Sequence, residues 1–149
     1  MKFVVQRVKH ASVTVDGVQL GKIGQGFLVL AGIAGSDTEA IADRMVKKLC
    51  GLRIFEDSEG KTNLSLSDVG GSLLLISQFT LYADCKHGNR PSFINAGKPD
   101  MAEPMYEHLL LEAAKYVPDV QRGQFGADMK VDLLNDGPFT IVLDSAELF

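Results

Sequence analysis

The segment SQFTLYAD, Ser77–Asp84, places two hydroxyl side chains and an amide at the end of an apolar run. Ser77 and Thr80 are candidate nucleophiles, but no histidine lies in the segment, and a hydroxyl without a neighbouring base attacks poorly. Successive side chains of a regular strand point to opposite faces, so these two hydroxyls act together only if the strand bends between them. The segment is therefore either the polar end of a strand or the wall of a site whose base comes from elsewhere in the fold.

A second unusual segment is NDGPFT, Asn135–Thr140, which sets turn-forming residues between two strand-like runs. Asn, Asp, Gly and Pro in this order favour a tight hairpin turn. The other interpretation is a cis peptide bond at Gly137-Pro138, although only about 5–6% of X–Pro bonds in folded proteins are cis. Such a bond would orient successive carbonyl oxygens as a pair of acceptors for a ligand ammonium group.

The stretch ADCKHGNRPSFINAGKP, Ala83–Pro99, has no periodicity and predicts a long loop. A loop of this length in a small domain is usually functional or disordered. Lys86, Arg90 and Lys98 make it a modest positive patch. The patch is either a solvated loop or a surface that contacts the phosphates of a nucleic-acid end.

Few residues have the spacing of a metal or cofactor site. His10 and His108 are predicted to be structural or solvent-facing, and Cys85 with His87 forms a C-x-H pair that has no second pair at ligand spacing. The sequence also lacks a G-x-S-x-G elbow, a P-loop and a G-x-G-x-x-G fingerprint. We therefore expect no metal and no cofactor.

Composition is that of an ordinary globular protein, with 149 residues, 46% apolar and 23% charged, which predicts a single domain over residues 1–149. The net charge of −4 argues against a broadly basic surface that coats nucleic acid, but it leaves room for a local positive patch. Two cysteines are too few for a disulfide framework, and Cys50 is expected to be a small buried hydrophobe. Without a signal peptide or an apolar run of about 20 residues, we expect a cytoplasmic location and no membrane contact.

Hydrophobic periodicity predicts several short strands, and Asp16-Gly17 is the strongest hairpin signal between them. The run Phe27–Ile33 is apolar on both faces, as expected for a central strand. A polar stretch from 57 to 71 predicts a long loop or loose hairpin. The predicted strands are Lys2–Val8, Ala11–Val15, Val18–Gly24, Phe27–Ile33, Ser72–Phe79 and two or three more in the last thirty or so residues.

Two helices are predicted. Ser36–Glu39 forms a capping box before the first, and Asp100 with Glu103 can cap the second, in which Pro104 would fall in the tolerant first turn. Hairpins, two helices and no regular βαβ rhythm predict an α+β fold with mainly antiparallel sheet.

Taken together, SQFTL and NDGPFT resemble the paired signature of the D-aminoacyl-tRNA deacylases, also called D-tyrosyl-tRNA deacylases. The similarity extends to QRVKHASVTV near the start, to GNRPSF in the long loop and to the overall length, so it covers essentially the whole chain. The resemblance implies a compact α+β domain with curved sheets that works as a homodimer. It also implies hydrolysis of the ester that joins a D-amino acid, or glycine mischarged on tRNA for alanine, to the terminal adenosine of tRNA.

The resemblance further implies a role for each signature residue. Ser77, Gln78, Phe79 and Thr80 would line the pocket for the terminal adenosine and the ester, and Met129 would contact the adenine. The Gly137-Pro138 motif, cis in the family, would project from one subunit into the other's pocket and capture the substrate's α-amino group. Arg7 matches the position that helps to fix this motif.

The missing base leaves two mechanisms open. In one, Thr80 attacks the ester and forms an acyl-enzyme. In the other, which the resemblance favours, backbone N–H groups near Ser77 and Phe79 polarise the ester carbonyl while the substrate's 2′-hydroxyl helps to activate water. A non-catalytic RNA- or nucleotide-binding module and a generic esterase are the alternatives from other functional classes.

Overall fold

The chain folds into eight β-strands, three α-helices and one 3₁₀ turn, and the computed structural model describes residues 1–149. The strands are β1 (Lys2–Val15), β2 (Val18–Ile23), β3 (Gly26–Gly32), β4 (Phe55–Glu56), β5 (Thr62–Leu64), β6 (Ser72–Ser77), β7 (Val120–Arg122) and β8 (Lys130–Asp144). The helices are α1 (Glu39–Cys50), α2 (Pro99–Ala113) and α3 (Ser145–Leu148), and the 3₁₀ turn spans Phe79–Tyr82. None of the helices combines the length and the apolar character needed to cross a bilayer.

Six of the strands form one sheet in the order β2-β1-β3-β6-β7, with β8 also paired to β1, while β4 and β5 form a separate hairpin. Strand β1 is antiparallel to β2, β3 and β8, whereas β3 with β6 and β6 with β7 are parallel. The predicted α+β fold with mainly antiparallel pairing is therefore confirmed, with the addition of two parallel pairs. Two principal helices are also confirmed, and the short α3 follows β8.

The sheet curves until its two sides nearly meet, because β1 is long and changes partner along one edge. Its residues 2–8 pair with β3 and its residues 11–15 pair with β2. A Cβ atom added at Gly21 of β2 would lie 2.9 Å from the carbonyl oxygen of Arg122 and 3.2 Å from Leu74 Cδ1. Glycine at this position therefore allows β2 to approach β6 and β7 and the sheet to assume a barrel-like shape.

Strand β3 is buried on both faces, as its continuous apolar run predicts. Phe27, Val29 and Ala31 belong to the larger core cluster under the helices, and Leu28 belongs to a smaller cluster inside the curve of the sheet. Phe27 also stacks on Phe55 of the small hairpin, with 5.2 Å between ring centroids. Helices α1 and α2 cover this side of the sheet with Met45, Leu49, Tyr106, Leu109 and their buried neighbours.

The turn predictions hold where the signal is local. Asp16 and Gly17 have positive φ values of 48° and 77° and join β1 to β2. The polar stretch from 57 to 71 supplies the turn and the second strand of a loose hairpin, in which Thr62–Leu64 pairs with Phe55–Glu56 just before the stretch. The strands predicted as Lys2–Val8 and Ala11–Val15 are one continuous strand.

The predicted start of the first helix is wrong by two residues. Thr38, not Ser36, is the N-cap, and its hydroxyl accepts a hydrogen bond from the Ile41 N–H at 3.3 Å. The cause is Asp37, which is buried and accepts from the Ala34 N–H at 2.8 Å, so the chain turns inward before the helix begins.

The second helix also begins earlier than predicted. Lys98 is its N-cap and has no side-chain capping bond, so Asp100 and Glu103 do not cap it. Pro99 occupies the first helical position, where the missing N–H has no consequence, and this residue sets the start. Pro104 consequently lies in the second turn of the helix.

Cys50 is a small buried hydrophobe, as expected, whereas Cys85 is exposed. Burial, and secondarily the carboxylate of Glu112, raises the pKa of the Cys50 thiol to about 12. Because only the thiolate is nucleophilic, Cys50 should be inert in the folded protein.

We predict that at about pH 8 the native protein reacts with one equivalent of an aromatic disulfide reagent and the denatured protein with two. Absorbance of the released thiolate gives the count. In Cys85→Ser the native count should fall to none, and rapid labelling of Cys50 in that variant would contradict the assignment.

Candidate active site

A cavity of about 680 Å³ opens where the parallel strands of the sheet diverge. Pairing of β6 with β7 ends at Leu75–Arg122, the Gly123 N–H still donates to the Leu75 carbonyl at 3.3 Å, and residues 125–129 then form a wall of the cavity. The gap lies at the carboxyl ends of β3 and β6, with Ala31 and Ile76 among the residues that line it. This volume is that of an ordinary small-molecule site, for which about 300–1,000 Å³ is typical.

The segment from Ser77 to Thr80 turns at the cavity instead of continuing as a strand. Strand β6 ends at Ser77, the Gln78 N–H still donates to the Ala31 carbonyl at 2.8 Å, and the 3₁₀ turn then begins at Phe79. The predicted strand Ser72–Phe79 is therefore two residues too long. Gly32 allows this bend, because a Cβ atom there would lie 2.9 Å from Cβ of Leu81 in the turn.

The bend leaves both hydroxyls without a base. The Thr80 hydroxyl accepts a hydrogen bond from Gln78 Nε2 at 2.6 Å, and an amide N–H cannot remove a proton. Ser77 lines the cavity and makes no side-chain hydrogen bond. The one carboxylate in the cavity wall belongs to Asp128, which is paired with the Lys130 ammonium at 2.9 Å.

Backbone N–H groups are the polar groups that the turn does offer. The first amides of a helical turn have no acceptor within it, so the N–H groups of Phe79 and Thr80 are free of the 3₁₀ hydrogen bonds. Preorganised N–H groups of this kind stabilise negative charge that develops on a carbonyl oxygen.

Three of the four predicted signature residues in this segment, Ser77, Gln78 and Phe79, line the cavity together with Met129. Thr80 is exposed and outside the lining. The side chain of Met129 can pack here only because residue 123 is a glycine: a Cβ atom at Gly123 would lie 2.5 Å from Met129 Sδ. The wall formed by 125–129 was not singled out in the sequence beyond Met129, since nothing in its local pattern marks a pocket.

The mouth of the cavity is apolar and exposed. Phe79 and Phe93 meet edge to face, with 5.0 Å between centroids and 74° between ring planes. Ile94 beside them is 85% exposed, and Lys98 stands at the start of α2. The sequence marked the loop that carries Phe93, Ile94 and Lys98 but not which of its residues face the cavity.

The predicted hairpin at Asn135–Thr140 is wrong, since β8 runs on through this segment in one direction. Gln6 of β1 pairs with Thr140 and Val8 pairs with Asn135, so the four residues 136–139 lie opposite Arg7 alone. They form a large bulge in which Gly137 and Pro138 are exposed. The Gly137-Pro138 peptide bond is cis.

Arg7 holds this bulge from beneath. Its Nε donates to the Asp136 carbonyl at 2.9 Å and its Nη1 to the Ile54 carbonyl at 2.6 Å. The guanidinium carbon also lies 4.5 Å from the centroid of the Phe139 ring. Arg7 is only 7% exposed, so these bonds are shielded from water.

Asn135 closes the same bulge from its other end. Its Oδ1 accepts from the Phe139 N–H at 2.6 Å, and its Nδ2 donates to the Thr140 hydroxyl at 3.0 Å. The Asn-Asp-Gly-Pro sequence therefore does form a tight local structure, but that structure projects from a strand and does not reverse it.

The bulge and the cavity do not meet within one chain, since neither Arg7 nor Gly137-Pro138 lines the cavity. Arg7 pairs with Phe27 and Ser77 pairs with Ala31, four residues further along β3. With the three strand spacings from β8 to β6, the separation along the sheet is on the order of 20 Å.

The chain matches the family D-Tyr-tRNA(Tyr) deacylase over residues 4–144, a range that contains both the cavity and the bulge. It belongs to this family. A D-aminoacyl-tRNA deacylase from Lactobacillus acidophilus is 53% identical over 144 residues, which are 97% of this chain and 99% of that protein.

Two solved structures are similar to this member of the deacylase family. One, described as the c-Myc DNA unwinding element binding protein, is 44% identical with a TM-score of 0.91, over 97% of this chain and 98% of that one. The other, from the structural analysis of a probable eukaryotic D-amino acid tRNA deacylase, is 17% identical with a TM-score of 0.82, over 95% and 97% of the two chains. At that identity the second likeness supports the fold alone.

One group of possible metal ligands lies away from the cavity, between α1 and α2 of this family member. The ligand atoms of Asp43, His108 and Glu112 lie within 4.8 Å of one another. His108 Nε2 is 2.7 Å from Asp43 Oδ1, and the Lys115 ammonium pairs with Glu112. The contact between Asp43 and His108 joins α1 to α2, in keeping with the structural role expected for His108.

We predict that Arg7→Leu lowers the free energy of unfolding by about 2–4 kcal/mol, because two carbonyl groups lose their buried donor. Urea unfolding at a fixed protein concentration measures the change. Arg53→Leu is the matched control: Arg53 is exposed and donates to the Asn63 carbonyl, so its loss should change stability by about 0.5 kcal/mol or less. Equal effects of the two substitutions would show that Arg7 does not hold the bulge.

Proposed function

We propose that this protein hydrolyses the ester bond of D-aminoacyl-tRNA in the cytoplasm and releases the free D-amino acid and tRNA. It also removes glycine mischarged on tRNA for alanine. The observation that carries the proposal is the 53% identity with a D-aminoacyl-tRNA deacylase over nearly the full chain. The cavity beside Ser77–Phe79 supplies a site of suitable size for the terminal adenosine and its ester.

The active site is completed by a second copy of the chain. Gly137-Pro138 of one subunit enters the partner's cavity, which agrees with its exposure and with its distance from the cavity of its own chain. Strand β8 pairs only with β1, so its other edge is open, and Leu134 and Val142 on this strand are 51% and 67% exposed. An open strand edge that carries exposed apolar side chains is suited to cover by a second copy.

Chirality is read by exclusion. The carbonyl oxygens of Gly137 and Pro138 accept hydrogen bonds from the substrate's α-ammonium group, while Ser77, Gln78 and Phe79 hold the ester and Met129 contacts the adenine. With the ammonium and the ester carbon fixed, only one direction remains open for the side chain. An L side chain collides with the motif, and glycine passes because it has none.

The reaction uses groups of the backbone and of the substrate. N–H groups at the start of the 3₁₀ turn bind the ester carbonyl oxygen and stabilise its developing charge. The 2′-hydroxyl of the adenosine orients water for attack on the carbonyl carbon; as the bond to the 3′-oxygen breaks, a proton of that water passes to the 3′-oxygen, which leaves as a hydroxyl. Thr80 serves only as the acceptor for Gln78 Nε2, which orients the turn.

A second candidate function is that of a nucleic-acid-binding module without catalysis. The observation that favours it is the similar solved structure described as a DNA unwinding element binding protein. Such a module would use the same cavity and the same loop but would leave an aminoacyl ester intact.

Purified protein should release tyrosine from D-Tyr-tRNA and leave L-Tyr-tRNA charged, because an L side chain collides with Gly137-Pro138. Acid-precipitable label on the tRNA measures the remaining ester over time. No turnover of the D-ester would favour the binding module, and equal turnover of both esters would refute the chirality filter.

Thr80→Ala should keep activity within about tenfold of the unmodified protein, because the hydroxyl is not a nucleophile. Single-turnover hydrolysis of D-Tyr-tRNA measures the rate. A loss on the order of 10⁴-fold, with an acyl group trapped on Thr80 of the unmodified protein, would establish the covalent route instead. As the matched substrate change, a tRNA ending in 2′-deoxyadenosine should abolish hydrolysis by both proteins.

A further inference from the structure

We propose that the segment Asp84–Lys98, called here the basic loop, binds the single-stranded nucleotides that precede the terminal adenosine of tRNA. This inference rests on the proposed function and extends it from the ester and adenosine to the strand that leads into the cavity. Its ligand chemistry is a phosphodiester backbone with unpaired bases.

Charge separates the basic loop from the rest of the chain. Lys86, Arg90 and Lys98 oppose a single acid, Asp84, so the loop carries +2 while the chain as a whole carries −4. The remainder therefore carries −6, so the loop is a locally positive segment on a chain that is otherwise net negative.

The positively charged side chains of the loop are also exposed and unpaired. Lys86, Arg90 and Lys98 are exposed, and none of them forms an ion pair. The one acid of the loop, Asp84, makes a hydrogen bond inside the loop: its Oδ1 accepts from the Lys86 N–H at 3.0 Å. In contrast, Lys2, Lys9, Lys130 and Arg122 are each paired with a carboxylate.

The fold holds the loop at the mouth of the cavity. Asp84 and Ser92 exchange two backbone hydrogen bonds of 2.7 and 2.9 Å, which close the tip that carries Lys86 and Arg90. The base of the loop is fixed to the end of β3, where the Gly97 N–H donates to the Ile33 carbonyl at 2.8 Å. Ile33, Gly97 and Phe93 line the cavity, and the tip closes at Ser92 beside Phe93, so the basic tip adjoins the cavity mouth in the chain.

Between the cavity and the basic tip lies a surface on which bases can stack. Phe79, Phe93 and Ile94 line the mouth and are 54%, 36% and 85% exposed. Proteins that bind single strands combine such exposed aromatic rings with a positively charged path for the backbone. Apolar exposure and unpaired positive charge next to one cavity therefore favour a single nucleic-acid strand as the occupant.

Comparison of two esters tests the inference. The double variant Lys86→Ala/Arg90→Ala should lower kcat/KM for D-Tyr-tRNA by about tenfold at low salt and reduce the salt slope by about 0.7 for each lost phosphate contact. The D-tyrosyl ester of adenosine alone has no such phosphates, so its hydrolysis should stay within about twofold. The control Lys47→Ala/Lys48→Ala removes two exposed, unpaired charges from α1 and should leave both esters unaffected.

Several results would overturn the inference. Equal losses on both esters would mean that the loop only shapes the cavity, and no loss on either would mean that it contacts no phosphate. Loss of tRNA turnover together with dissociation of subunits, measured by sedimentation, would assign the loop to a protein interface. Equal losses of kcat/KM in the loop and control variants would mean that only the net charge of the protein matters, and not a contact made by the loop.

A binding measurement separates this inference from the proposed function. Uncharged tRNA should bind more tightly than tRNA without its single-stranded 3′ end, and the loop double variant should lose that difference in fluorescence anisotropy. If the unmodified protein hydrolyses neither ester but shows this difference, the proposed function fails and the loop assignment stands. If it hydrolyses the esters and shows no difference, the loop assignment fails alone.

Discussion

The pairing of β1 with β8 on either side of a bulge is the constraint on which the rest of the structure depends. Four residues of β8 lie opposite Arg7, and the two strands pair on both sides of them, with a second register shift between Val8 and His10. The extra residues have no place in the ladder, so they must leave the sheet. Arg7 and Asn135 bind the carbonyl and amide groups that the ladder no longer satisfies, and Gly137 and Pro138 are thereby presented at the surface in a fixed position.

The cavity is formed by other strands of the sheet than the bulge. Parallel strands β3, β6 and β7 end at the same edge, and β7 is too short to follow β6 as far as Ser77. Strand β3 connects the two features, because Phe27 pairs with Arg7 and Ala31 pairs with Ser77. Since β3 is buried on both faces, the spacing between bulge and cavity is as rigid as the core itself.

Sequence reasoning succeeded where a local pattern decides the structure. The apolar run of β3 and the turn at Asp16-Gly17 predicted their elements within a residue, whereas the alternation of β1 predicted both ends of one strand but divided it at Lys9 and His10. It failed where a distant contact overrides the local preference. NDGPFT has strong turn propensity, but pairing with β1 on both sides keeps the strand in one direction. Ser36 does not cap the first helix because Asp37 is buried before it, and Asp100 does not cap the second because Pro99 sets its start.

The site shows the same division. The signature residues Ser77, Gln78, Phe79 and Met129 do share a cavity, but the hydrogen bond from Gln78 to Thr80 arises from a bend that strand periodicity does not contain. A wall built from backbone amides and apolar side chains has little attraction for any particular amino acid. Under the proposed function, discrimination must therefore come from shape, and a rigid bulge from a second subunit is suited to that task because it excludes a side chain without having to bind one.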